Sequence, residues 1–194
     1  MNDNTLSRRS LLGGAGALGA LLLTGLGEGT AEALGRFDFG PIHHFGLVVK
    51  HPERTTRQLH RALGMDFTDE IVSSFDIRRE DGSVQSVTSH TWLAQTAAPR
   101  LEIEGEVPGT PLEVQHGIAI GHIAFELPPE QIATASAALS DAGLVRAATI
   151  NDPSIPVGQP QPAAIGFAYH YAKGGFFVEL ISAGVLPPPP AGLR

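Results

Sequence analysis

The sequence predicts an α+β fold in which two βαβββ modules form one cupped mixed sheet. Three observations carry that expectation. The run Ile42-His43-His44-Phe45-Gly46-Leu47-Val48-Val49 has a counterpart in Ile120-Gly121-His122-Ile123-Ala124-Phe125-Glu126-Leu127, each with a histidine third in a short apolar stretch. A helix-like segment follows each run and ends at a glycine, Gly64 or Gly143, 20 residues after His44 and 21 after His122. Each half closes on an apolar run carrying a carboxylate, Leu101-Glu102-Ile103 and Val178-Glu179-Leu180, 58 and 57 positions beyond its histidine. Self-similarity at a fixed pitch identifies a duplicated architecture before any single element is read.

With 194 residues, the chain suits one domain or two small modules sharing a core. The absence of cysteine excludes disulfides and thiolate metal sites, so any metal must be held by His, Asp and Glu. A net charge of −7 argues against a nucleic-acid partner, which favours a basic patch.

Residues 1–33 read as an address. Ser7-Arg8-Arg9-Ser10-Leu11-Leu12 resembles the twin-arginine export signal, with leucine in place of the usual phenylalanine and Gly13 in place of lysine. The Gly/Ala/Leu-rich run to Leu26 is short for a membrane span. Ala31-Glu32-Ala33 is a small-x-small cleavage site, which starts the mature chain near Leu34. The expected partner is the twin-arginine machinery and the expected location periplasmic or secreted. Proteins on that route fold before export, which suits a metal site loaded in the cytoplasm.

The first module spans about 40–107. Ile42 to Lys50 reads as a strand, with His44, Gly46 and Val48 on one face. Pro52 suits a first helical turn; Leu59, Ala62 and Leu63 form the apolar stripe, and Gly64 stands just past the end. Arg54, Arg57 and Arg61 lie off the stripe and face solvent. Strands are expected over 65–72, 84–93 and 100–107, with Asp81-Gly82 as a hairpin turn. On the last strand Glu102, Glu104 and Glu106 share a face. The repeat turns Glu102 inward, while Glu104 and Glu106 fit a solvated edge, Glu104 being the fallback ligand. Pro108-Gly109-Thr110-Pro111 links the modules.

The second module spans about 117–183. Its first strand is 120–127, and Pro128-Pro129 opens a helix whose buried stripe is Ile132, Ala135, Leu139 and Ala142. Strands follow over 145–150, 165–172 and 175–182, with Lys173-Gly174-Gly175 as a turn. The Pro/Gly-rich segment 151–162 is a loop and a candidate lid. Glu179 sits on the inner side of an apolar strand, where an ionised carboxylate needs a cation, hydrogen bonds or a proton. Residues 184–194, with four consecutive prolines, form an extended tail.

The runs around His44, Glu102, His122 and Glu179 resemble the vicinal oxygen chelate superfamily, which includes glyoxalases, bleomycin-resistance proteins and extradiol dioxygenases. The resemblance covers roughly residues 40–183 and leans toward the glyoxalase I and methylmalonyl-CoA epimerase branch. It implies that one divalent transition metal (Ni, Co, Zn, Mn or Fe) is held by His44, Glu102, His122 and Glu179. Two imidazoles and two carboxylates form a donor set suited to such ions. The resemblance also implies metal-assisted deprotonation next to a carbonyl of a small-molecule substrate, with Glu102 and Glu179 as ligands and catalytic bases. That is isomerase, epimerase or lyase chemistry. One alternative is a ring-cleaving dioxygenase using ferrous iron on His44, His122 and Glu179, against which a fourth ligand counts. The other is a non-catalytic binding protein for resistance, against which the full ligand set counts. The superfamily also builds sites across homodimer interfaces. His43 reads as facing the helix side. Trp92, His90, Tyr169, His170 and Tyr171 are candidates for a pocket wall, and Arg78 and Arg79 for an anion contact or a solvated pair.

Overall fold

The computed structural model describes residues 37–110, 112–114, 118–172 and 176–192; the expected export signal and the expected turn at 173–175 lie outside them. The elements are β1 (His44–Val49), α1 (Pro52–Leu63), β2 (Ile71–Arg79), β3 (Val84–Leu93), β4 (Arg100–Gly105), β5 (Ile118–Leu127), α2 (Ile132–Asp141), β6 (Val145–Ile150), β7 (Phe167–Ala172) and β8 (Phe176–Ser182). This is the expected pair of βαβββ modules.

The strand order is β1-β4-β3-β2-β6-β7-β8-β5, closed on itself. Within each module the first strand runs parallel to the last, β1 to β4 and β5 to β8. The modules meet where β1 pairs antiparallel with β5. They meet again where β2 pairs with β6, there only over Ile77–Arg79. The expected cup is therefore drawn into a barrel.

Alternation along each strand sorts side chains into an interior and an exterior set. The exterior faces carry the helices. Under α2 lie Ile132, Ala135, Leu139 and Ala142 with Ala168, Val178 and Leu180, the stripe expected from sequence. Under α1 lie Val49, Trp92 and Ile103, flanked by Leu59. The α1 stripe departs from expectation: Thr56 is its buried residue, and Ala62 and Leu63 are exposed. Pro52 opens α1, and Gly64, at φ 68°, donates its amide to the His60 carbonyl at 2.8 Å. Only glycine takes that backbone conformation without strain.

Further corrections concern β2, the loop and the tail. The second strand is Ile71–Arg79 rather than 65–72, because the Asp81-Gly82 turn fixes where it ends. Asp81 accepts from the Ser83 amide, Gly82 stands at φ 82°, and Arg78 pairs with Val84. From that turn the register runs back to Ile71 opposite Thr91, leaving a single bridge, Phe67 to Ala94, in the segment before it. Arg78 is neither solvated nor free for an anion. It is 1% exposed and donates to the carbonyls of Gly82, Asp152, Ile155, Pro156 and Gln159 and to Asn151 Oδ1. A guanidinium has five N–H donors in a rigid fork, which suits this radial set of acceptors. The 151–162 loop is thereby pinned to the β2–β3 turn, and none of its residues lines the interior cavity, so it is no lid. The tail takes part instead: Val185 and Leu186 line the cavity, and Arg100 donates to the Pro187 carbonyl at 2.6 Å.

Candidate metal centre

The pairing of β1, β4, β5 and β8 decides where four distant side chains go. Gly46 stands opposite His122 on β5 and Glu102 on β4. Ala124 stands opposite His44 on β1 and Glu179 on β8. Each histidine is thus followed, two positions on, by a small residue flanked by two of the other three groups. The cost of a larger side chain is explicit at Gly46. A Cβ there would fall 2.1 Å from His122 Cε1 and 2.2 Å from Nε2. Gly46 is needed for the space it leaves, not for its backbone freedom.

His44, Glu102, His122 and Glu179 are all buried, and one ligand atom of each lies within 4.8 Å of the others. The two Nε2 atoms are 3.0 Å apart. Glu102 Oε2 lies 2.8 Å from His122 Nε2 and 3.3 Å from His44 Nε2. Glu179 Oε2 lies 3.1 Å from His44 Nε2 and 3.2 Å from His122 Nε2. Donor atoms that each stand about 2 Å from a shared ion, the bond length of zinc to imidazole nitrogen or carboxylate oxygen, lie roughly 3 Å apart, as these five separations do. The donor set and its spacing fit one divalent transition metal.

The electrostatics point the same way. Burial opposes a charge on His44, but Glu102 and Glu179 outweigh it and raise its pKa to about 10. Burial likewise opposes a charge on His122, and Glu179 and Glu102 outweigh it to raise its pKa. Burial would push the Glu102 carboxyl up; His44 and His122 overcome it and hold Glu102 well below the usual carboxylate range. The cluster attracts positive charge, and in the metal-free protein protons supply it.

Two neighbours escaped sequence reading. His43 places Nδ1 2.8 Å from His44 Nδ1 and so orients that ring, the service a ligating imidazole needs on its far nitrogen. Its apparent place on the helix side hid this, because β1 begins only at His44. Glu104 is not solvated: it is 5% exposed, accepts from Ser89 Oγ at 2.9 Å on Oε1, and lines the cavity. Burial first, then the Glu102 charge, pushes its carboxyl up to about 8. The alternation Glu102, Glu104 carried the signal, and the closed barrel supplies the burial. Of the candidate wall residues, Tyr169 does face the cavity, its ring 5.5 Å from that of His122. Trp92 packs under α1, His90 pairs with Glu70 at the surface, His170 is buried against Ser136 Oγ, and Tyr171 is exposed.

A duplicated βαβββ barrel with a buried His/Glu cluster defines a class of metal-site scaffold. Residues 43–157 match the Glyoxalase/Bleomycin resistance protein/Dioxygenase superfamily, and the chain belongs to it. Among solved structures it is similar to methylmalonyl-CoA epimerase from Mycobacterium tuberculosis, at 16% identity and TM-score 0.45, covering 73% of this chain and 87% of that one. Streptomyces coelicolor methylmalonyl-CoA epimerase in complex with 2-nitronate-propionyl-CoA matches at 15% identity and TM-score 0.48, covering 74% and 97%. A mutant of 4-hydroxymandelate synthase from Streptomyces coelicolor matches at 21% identity and TM-score 0.45, covering 77% of this chain and 39% of that one. No curated protein sequence matches the chain.

Gly46→Ala should displace the His122 ring and lower bound metal in elemental analysis by about tenfold or more while the barrel still folds by circular dichroism. Full metal content in that variant would contradict the packing account. Metal must also displace the proton that His44 holds below pH 10. Affinity should therefore rise at least about tenfold per pH unit from pH 6 to 9, and more steeply where the His122 proton is displaced as well, read by competition with a chelator of known pH behaviour; a flat profile would count against these ligands.

Proposed function

We propose that this chain is an exported, metal-dependent enzyme that removes a proton from a carbon next to a carbonyl, as an isomerase, epimerase or lyase. The observation that carries the reading is the convergence of His44, Glu102, His122 and Glu179, two of which, Glu102 and Glu179, line a mainly apolar cavity of about 290 Å³. A divalent transition metal bound there supplies a Lewis acid for a carbonyl oxygen, lowering the barrier to breaking the adjacent C–H bond.

The chain's own residues supply the rest. His44 and His122 hold position through strand pairing and, for His44, through the His43 ring. Glu102 and Glu179 approach the centre from different modules and both line the cavity, so each is within reach of a bound molecule. One accepts the proton and can return it; proton transfer by a positioned side chain contributes roughly 10²–10⁴-fold. The apolar wall excludes water, which strengthens each of these interactions. Ring-cleaving oxygenation is the weaker reading, because four protein donors leave fewer positions than three. The likeness of residues 7–12 to the twin-arginine signal supports an activity outside the cytoplasm, away from CoA thioesters and glutathione adducts.

The test uses protein recovered from the exported fraction. It should contain about one transition metal per chain and exchange solvent deuterium into a small hydroxyketone, followed by NMR. Glu102→Gln and Glu179→Gln, assayed separately, should identify the base through an exchange rate lowered about 100-fold or more in at least one of them. Oxygen uptake with catechols that requires ferrous iron, without deuterium exchange, would overturn the assignment.

A further inference from the structure

The cavity wall has a chemical character that the ligand cluster alone does not set. The ionisable acidic side chains lining it, among the described residues, are Glu102, Glu104 and Glu179; no lysine or arginine reaches it. The cationic groups nearby are committed elsewhere. Arg78 is spent on the carbonyls of 152–159; Arg100 donates through Nε and Nη1 to the carbonyls of Ala94 and Pro187, its buried Nη2 has no partner among the described residues, and the residue does not line the cavity. The walls are ring faces and aliphatic side chains, with Phe167 lying edge to face against both Phe75 and Tyr169. A volume of about 290 Å³ holds on the order of ten heavy atoms, taking the roughly 30 Å³ that a water occupies in the liquid as a guide.

Within this mainly apolar wall stands a polar patch that belongs to none of the four metal-site residues. Ser89 and Thr91 hydroxyls lie 3.1 Å apart, and Ser89 bonds one oxygen of Glu104. The other Glu104 oxygen is buried without a partner among the described residues. A buried carboxyl oxygen without a partner is costly and calls for a ligand group. Glu104 stands two residues along β4 from Glu102 on the same face, its Cα about 6.6 Å further along the strand.

We propose that the cavity takes a compact, uncharged ring compound whose oxygens face the His/Glu cluster and whose far side carries a hydroxyl bound by Glu104. The orientation rests on the function proposed above; the preference for a neutral molecule and the contact with Glu104 do not. An anionic far side meets an apolar wall and a carboxyl group, with no cation to receive it.

Three probes share a ring and two adjacent oxygens and differ at one further position: 1,2,4-benzenetriol, 4-methylcatechol and 3,4-dihydroxybenzoate. Their binding is measured anaerobically by calorimetry, on zinc-loaded protein and on protein stripped with chelator. In both forms the triol should bind about tenfold tighter than the methyl compound, and the carboxylate about tenfold weaker than the methyl compound. Glu104→Leu should reverse the order of triol and methyl compound, and Glu104→Gln should keep the triol within about threefold of wild type. Tightest binding of the carboxylate, or an unchanged triol preference in Glu104→Leu, would overturn the proposal. Should zinc fail to bind while the stripped protein keeps the predicted order, the metal assignment fails and this one stands.

Discussion

Two imidazole nitrogens 3.0 Å apart and two carboxylates within 3.3 Å of them occupy the middle of a barrel lined mainly by apolar side chains. Such a cluster is costly unless a cation or protons balance it, because charges in low dielectric interact strongly and lose their hydration. The fold is arranged around that constraint. β1 and β5 lie side by side and antiparallel, so the two histidines approach from opposite directions. β4 and β8 lie parallel to them on the outer flanks and bring one glutamate each. Small residues at Gly46 and Ala124 leave the rings room.

The exterior shows how this arrangement is kept rigid. Helices α1 and α2 cover the outer faces of the two modules, with a larger buried apolar set under α2. Where the modules meet a second time, at β2 and β6, the contact is short, and a buried arginine reinforces it. Arg78 reaches four carbonyls across the 151–159 segment and that of Gly82 in the β2–β3 turn, so one guanidinium does the work of a strand edge in a region with no ladder of its own. The tail completes the interior through Val185 and Leu186, held by Arg100, itself two residues before Glu102.

Much of this was legible in the chain because duplication makes its own evidence. The spacing of His44 to Glu102 and of His122 to Glu179 pointed to equivalent strands, and strand alternation put each pair on one face. What the sequence hid depends on closure and on register. Glu104 and Glu106 look alike in an alternating strand, yet the barrel buries the first and leaves the second beside Lys50. Arg78 and Arg79 look like one solvated pair, but neighbouring side chains point to opposite faces, and only Arg78 meets the loop. Gly46 reads as a weak residue in a strand until the partner strand places an imidazole against it.

Anomalous diffraction from crystals grown with a single transition metal tests the central claim most directly. One ion per chain is expected at bonding distance from His44 Nε2, His122 Nε2 and an oxygen each of Glu102 and Glu179. An ion bound elsewhere with this cluster left to protons, or one that leaves either histidine unbound, would contradict it.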